Sequence, residues 1–246
     1  MYTILIALLI GAACGGVWTA LALWKTWQMG IVLFFLVSIV SFIVISRVMA
    51  RRVEPQFVGV QKMIQSGQTA LAIQTLEDLM PLSRWQIMLK GQIHAQIGLL
   101  SYASGDEAKA EEHLPLSGYR ATEAQMALAA LHYRKGRKPQ AYDALDTCMR
   151  AAKKQVMPYH VWAWLALKDG EKDKALEKLL AAEKVEKSNE STQENLDRLR
   201  NGKKLNMKRF GMAWFGLQLE KPPAQYRAAA GQTARKGFRQ RKQKRR

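Results

Sequence analysis

Cysteine is scarce in this 246-residue chain: only Cys14 and Cys148 occur, which excludes a disulfide framework and a thiolate metal cluster. Catalytic signatures are missing as well. There is no His-Glu-x-x-His, glycine-rich phosphate loop or nucleophile-elbow sequence, so the chain reads as a non-enzyme without a cofactor. Charge is absent from two long stretches, Tyr2 to Leu23 and Ile31 to Ser46. Acid is nearly absent from the C-terminus: residues 201–246 carry 14 basic side chains against 1 acidic, residues 51–200 carry 22 against 19, and residues 1–50 carry only Lys25 and Arg47. The formal charge of +18 therefore belongs mostly to the tail and not to the middle of the chain.

The two uncharged stretches are each near the roughly 20 residues needed to cross a bilayer core. The short connection Lys25 to Gly30 predicts a tight turn, antiparallel helices and both chain ends on one side. Trp18, Trp24 and Trp27 suit an interfacial belt near that turn. Arg47, Arg51, Arg52 and Lys62 follow the second stretch, against Lys25 alone in the turn, and this asymmetry predicts a cytoplasmic flank. Gly11 and Gly15 form a small-xxx-small step for close approach of the second helix, with Ser38 and Ser41 as partners; glycines merely tolerated in a membrane helix fit the same spacing. A signal peptide with Gly-Ala-Ala-Cys at residues 11–14 as cleavage site is the rival reading, against which no Lys or Arg precedes the apolar run.

The interior has a period. Gly67, Gly105, Gly136 and Gly170 lie 38, 31 and 34 residues apart. Five residues after them stand Ala72, Ala110, Ala141 and Ala175; nine after them stand Leu76, Leu114, Leu145 and Leu179. A left-handed glycine ends one helix, the alanine permits the next to cross closely, and the leucine supplies core contact. Seven residues before the later glycines stand Gly98, Ala129 and Ala163; the first unit has Val60. Pro55 and Pro139 suit first-turn positions, Pro115 should stop a helix, and Ser191 with Glu194 predicts a capping box for a helix ending at Asn201-Gly202. His94, His113, His132 and His160 fall at unrelated repeat positions, and Glu111-Glu112-His113 reads as a solvated helix end.

Over roughly residues 55–187 this pattern resembles the tetratricopeptide repeat family, whose repeat is about 34 residues. The position four before each glycine, often aromatic in the family, holds Met63, Ser101, His132 and Ala166 here. The resemblance implies a concave face lined by the first helix of each pair, and a partner-binding groove of Gln92, Leu99, Tyr102, Met126, Tyr133, His160 and Trp164. Lys and Asn, which grip a terminal carboxylate in some members, are replaced by Ala95, Leu99, Met126, Ala130, His160 and Trp164, so the groove suits an apolar or aromatic segment. Packing between neighbouring repeats would use the same residues.

After the array, Leu205, Met207, Phe210, Met212, Trp214, Phe215, Leu217 and Leu219 form an aromatic stretch that either folds back on the array or dips into a membrane interface. Pro222-Pro223 marks a break. Arg235, Lys236, Arg239, Arg241, Lys242, Lys244, Arg245 and Arg246 follow with no acid among them, a composition for a disordered tail. Tethered near a bilayer it would contact anionic lipid; nucleic acid or ribosomes are the alternative. Only Phe238 interrupts the basic run, which makes a poor stacking platform.

The expectation is an all-α chain: a two-helix transmembrane hairpin over residues 1–50, a TPR-like α-solenoid with capping helix over 54–202, and an aromatic and basic tail over 203–246. As a function it predicts a scaffold or adaptor in a bacterial-type inner membrane, two-pass, with the C-terminal domain cytoplasmic and a protein partner in the groove. Tethering RNA or ribosomes, or assembling an envelope complex, are the alternatives.

Overall fold

The computed structural model describes residues 2–21, 27–85 and 88–223, and these are helical with no strand among them. Eleven α-helices are described: α1 Tyr2–Leu21, α2 Trp27–Gln65, α3 Thr69–Asp78, α4 Leu89–Ser104, α5 Glu107–His113, α6 Thr122–Arg134, α7 Lys138–Ala151, α8 Met157–Lys168, α9 Lys172–Val185, α10 Glu190–Arg200 and α11 Gly211–Phe215. They form two compact units, Met1–Ile93 and His94–Arg246, divided within α4.

In the first unit α1 packs along α2, and α3 packs on α2. The helices of the hairpin approach closely because small residues face each other. A Cβ on Gly11 would stand 2.0 Å from the Ser38 hydroxyl oxygen and 2.8 Å from the Phe34 carbonyl; one on Gly15 would stand 2.9 Å from the Gly30 carbonyl. Gly30, facing Thr19 and Gly15, belongs to the same seam. Both helices are long and apolar enough to cross a membrane. Their large side chains point outward: Leu9, Val32 and Phe35 are each more than half exposed, a surface that water tolerates poorly when contiguous.

The second helix departs from expectation. It does not stop before Pro55 but runs on as one 39-residue helix with that proline inside it, about 58 Å long at 1.5 Å per residue. Loss of one backbone donor at the proline is outweighed by packing on both sides of it, where Val53 and Val60 are buried and α3 lies against the helix. The break comes at Gly67 instead, in a left-handed conformation (φ 75°).

The second unit repeats that turn. Gly105, Gly136 and Gly170 have φ of 86°, 76° and 84°, a region that costs any side-chain-bearing residue strain. Each glycine closes one helix and lets the next fold back, giving α6 on α7 and α8 on α9. All four alanines five residues on and all four leucines nine residues on are fully buried. Gly98 sits where a Cβ would stand 2.8 Å from the Leu114 side chain. Pro115 lies in a short 3-10 turn, Leu114–Ser117, that ends α5, and Pro139 occupies the first turn of α7.

The cap of α10 also differs from expectation. Asn189, not Ser191, accepts the backbone hydrogen bond of Thr192 (3.1 Å), and Glu194 is committed elsewhere, to Asn206 (2.7 Å) and Arg209 (2.7 Å). Asparagine and serine cap almost equally well, so the outward demand on Glu194 decides the register. The helix ends at Arg200, before Asn201 and a left-handed Gly202.

Candidate functional site

The expected groove residues are carried by α4, α6 and α8. Gln92 lies in the first unit and is exposed; Leu99 is half-buried. Tyr102, Met126, His160 and Trp164 are buried, Tyr133 half-buried. Tyr102, His160 and Trp164 are covered by the chain's own segment after α10. Leu205, Met207, Trp214, Phe215 and Leu217 are buried in one hydrophobic core with Tyr102, Met126 and Trp164. Of the two destinations open to this stretch, it takes the helical array.

Specific polar bonds fix it there. The Tyr102 hydroxyl donates to the Leu217 carbonyl at 2.5 Å, and the Gln218 amide donates back to the Tyr102 carbonyl at 3.0 Å. Arg134 holds the Gln218 oxygen at 3.0 Å. Gln218 has φ 54°, an uncommon left-handed conformation for a residue with a Cβ, stabilised by these two bonds. Burial raises the Tyr102 pKa, with Arg134 opposing, so the hydroxyl stays a donor. Trp164 meets Trp214 edge to face at 5.1 Å and His160 meets Phe210 at 4.9 Å. At the segment's start, Asn206 exchanges two bonds with Asn195, backbone N–H to Oδ1 at 2.6 Å and Nδ2 to carbonyl at 3.3 Å. Arg209 bonds Glu190 and Glu194.

His160 is fully buried, its Nδ1–H donating to the Val156 carbonyl at 2.9 Å. Burial pulls its pKa below the ordinary histidine value, against the opposing effect of backbone bonds. Tyr133 and Tyr142 both donate to Asp169 (2.9 and 2.8 Å), which also pairs with Lys138 at 2.7 Å. Burial and then the carboxylate raise the Tyr133 pKa to about 12. Burial pushes Asp169 up, but the bonds from Lys138, Tyr142 and Tyr133 outweigh it and hold the carboxyl below its ordinary value. Tyr133 is thus a strut between α6 and the C-terminal end of α8.

The reading of His113 as part of a solvated helix end is corrected: His113 is buried, and its Nδ1 lies 3.0 Å from that of His94, a contact that their spacing in the sequence does not announce. At that separation one ring must donate and the other accept. The solvated part of the cluster is Glu112, which is exposed; Glu111 is half-buried and pairs with Lys135 and Arg137, and those bonds hold its carboxyl below the usual range. No group of three or more metal-ligating side chains is assembled among the described residues. Arg235, Lys236, Arg239, Arg241, Lys242, Lys244, Arg245 and Arg246 lie outside the described residues, as do Trp24 and Lys25, which fall between α1 and α2 in the sequence.

Sequence reasoning named the aromatic stretch and the rings that receive it but missed Gln218, Asn195 and Arg134, whose polar bonds join residues distant in the chain and leave no local pattern. No protein-family model matches this chain, and no curated protein matches it in sequence.

Proposed function

We propose that this chain is a membrane-anchored, TPR-like scaffold. The two N-terminal helices cross a bacterial-type inner membrane as a hairpin, the helix pairs stand on the cytoplasmic side, and the basic tail contacts anionic lipid. The observation that carries the reading is the receptor face on α4, α6 and α8: it holds a 15-residue aromatic segment through backbone-directed bonds at Tyr102 and ring contacts at His160 and Trp164. A face that grips a carbonyl and stacks aromatic rings is chemistry for a segment of polypeptide. In the resting molecule the occupant is internal, and a protein partner with a similar aromatic segment competes with it.

The test is affinity recovery from detergent-solubilised membranes, with and without nuclease, comparing the full chain with Leu217→Asp, which loosens the internal segment, and Trp164→Ala, which damages the receptor face. The expected result is one defined protein, enriched by Leu217→Asp, lost with Trp164→Ala, and displaced by a synthetic peptide spanning residues 205–219. Recovery of an RNA or ribosomal set that nuclease removes and neither substitution alters would overturn the scaffold reading. It would favour the tail-driven tether, the second reading, supported by the 14-to-1 excess of basic over acidic side chains in residues 201–246.

A further inference from the structure

The first unit contains a feature the scaffold reading does not use. Beside α2 lies an open cleft of about 310 Å³ lined by Val44, Ile45, Val48, Met49, Arg52, Leu82 and Trp85. Val44, Val48 and Arg52 follow one another at intervals of four, a single stripe along the helix. Leu82 and Trp85 close the other wall from the turn after α3. That wall is held in place: the Trp85 carbonyl accepts from the Thr3 hydroxyl at 2.7 Å, and its ring meets Tyr2 edge-on at 5.6 Å.

Every lining residue but one is apolar, and the exception stands at one end. The cleft begins within the uncharged stretch that ends at Ser46 and finishes at Arg52, so it straddles the level where hydrocarbon gives way to headgroups. Val44 and Val48 are about half exposed, continuing the apolar surface of the hairpin into the cleft. Arg52 is exposed, and no acid precedes Glu54 in the chain. Glu54, two positions on, faces away around the helix, so Arg52 has no carboxylate three or four residues distant to neutralise it. A tryptophan at this depth is the residue type that favours the interface, and a guanidinium binds phosphate in a two-pronged geometry that an ammonium does not reproduce.

From these observations we infer that the cleft is a binding site for one anionic membrane phospholipid. An acyl chain lies along Val44, Val48, Met49 and Leu82, Trp85 packs at its upper end, and the headgroup phosphate sits on Arg52. The site rests on the reading of α1 and α2 as membrane-crossing helices. It differs from diffuse attraction of a polybasic flank because cleft shape and one specific arginine both contribute.

The test uses full-length protein and begins with alkaline carbonate extraction of membranes. The protein is then reconstituted in nanodiscs of mixed phosphatidylcholine and phosphatidylglycerol, and lipid retained on release is counted by native mass spectrometry. The expected result is carbonate-resistant protein retaining one phosphatidylglycerol per chain in preference to phosphatidylcholine. Arg52→Gln lowers that retention about tenfold, Val48→Trp, which fills the cleft, removes it, and Arg47→Gln leaves it unchanged; circular dichroism confirms helicity in each. Equal loss from Arg47→Gln and Arg52→Gln, equal retention of the two lipids, or wild-type retention in both Arg52→Gln and Val48→Trp each overturns the site while leaving the membrane hairpin intact. Release of the protein by carbonate overturns the hairpin and the site together.

Discussion

Gly11 and Gly16 lie five residues apart on α1 and make opposite predictions. A Cβ at Gly11 would collide with Ser38 and the Phe34 carbonyl, whereas at Gly16 nothing stands within 4 Å. Gly11→Val should therefore separate the hairpin helices and cost roughly 1–3 kcal/mol of overpacking, visible as a lower detergent-phase melting temperature; Gly16→Val should leave the melting temperature unchanged. Asp169 is the second residue whose role is specific, since Lys138, Tyr133 and Tyr142 converge on it. Asp169→Ala should cost roughly 2–3 kcal/mol at neutral pH, because it strands two half-buried hydroxyls and removes charge-assisted bonds. Its carboxyl pKa is lowered in the fold, so its contribution is present above the unfolded value of about 4 and fades as pH falls through the folded one. Chemical denaturation of both proteins from neutral pH into acid should show the difference between them shrinking.

Among the elements, the segment over residues 205–219 has the clearest pH signature. It covers His160, whose burial depresses its pKa. A depressed histidine stabilises the fold above the unfolded pKa of about 6.5, and that stabilisation is lost as pH falls through the folded value. Amide hydrogen exchange in residues 205–219, corrected for intrinsic rate, should speed up as pH falls from neutral below about 6. His160→Phe, which keeps a ring against Phe210, should flatten that dependence; an unchanged slope would assign it to another group. The helices themselves were legible to different degrees. The glycine, alanine and leucine offsets coincide with turns and buried positions, because a left-handed turn and a tight crossing each demand a particular residue type locally. The continuation of α2 through Pro55 was not legible, because packing on α3 is a property of the partner helix and not of the proline's neighbours. The same holds for the Asn189 cap, chosen because Glu194 is drawn to Asn206 and Arg209.

For the molecule as a whole, two deletions separate core from tail. Removing residues 224–246 should leave the thermal stability of the array unchanged and flatten the salt dependence of its binding to anionic vesicles. Removing 203–246 should destabilise the array severely, since Trp214, Met207 and Leu217 are buried and one Trp→Ala change in such a core costs about 3–5 kcal/mol. Equal melting temperatures for the two deletions would mean that the segment does not belong to the core. The sequence by itself determined the all-helical class, the two long apolar helices at the N-terminus, the positions of the four glycine turns and the excess of positive charge at the C-terminus. Each of these depends on residue type at short range or on composition summed over a stretch. Only the tertiary structure decided where the aromatic segment goes, that His94 meets His113, and that the face formed by Tyr102, His160 and Trp164 is filled from within. Those outcomes depend on contacts between residues as much as 116 positions apart, whose free energy is set by which surfaces the fold brings together and which buried polar groups it must satisfy.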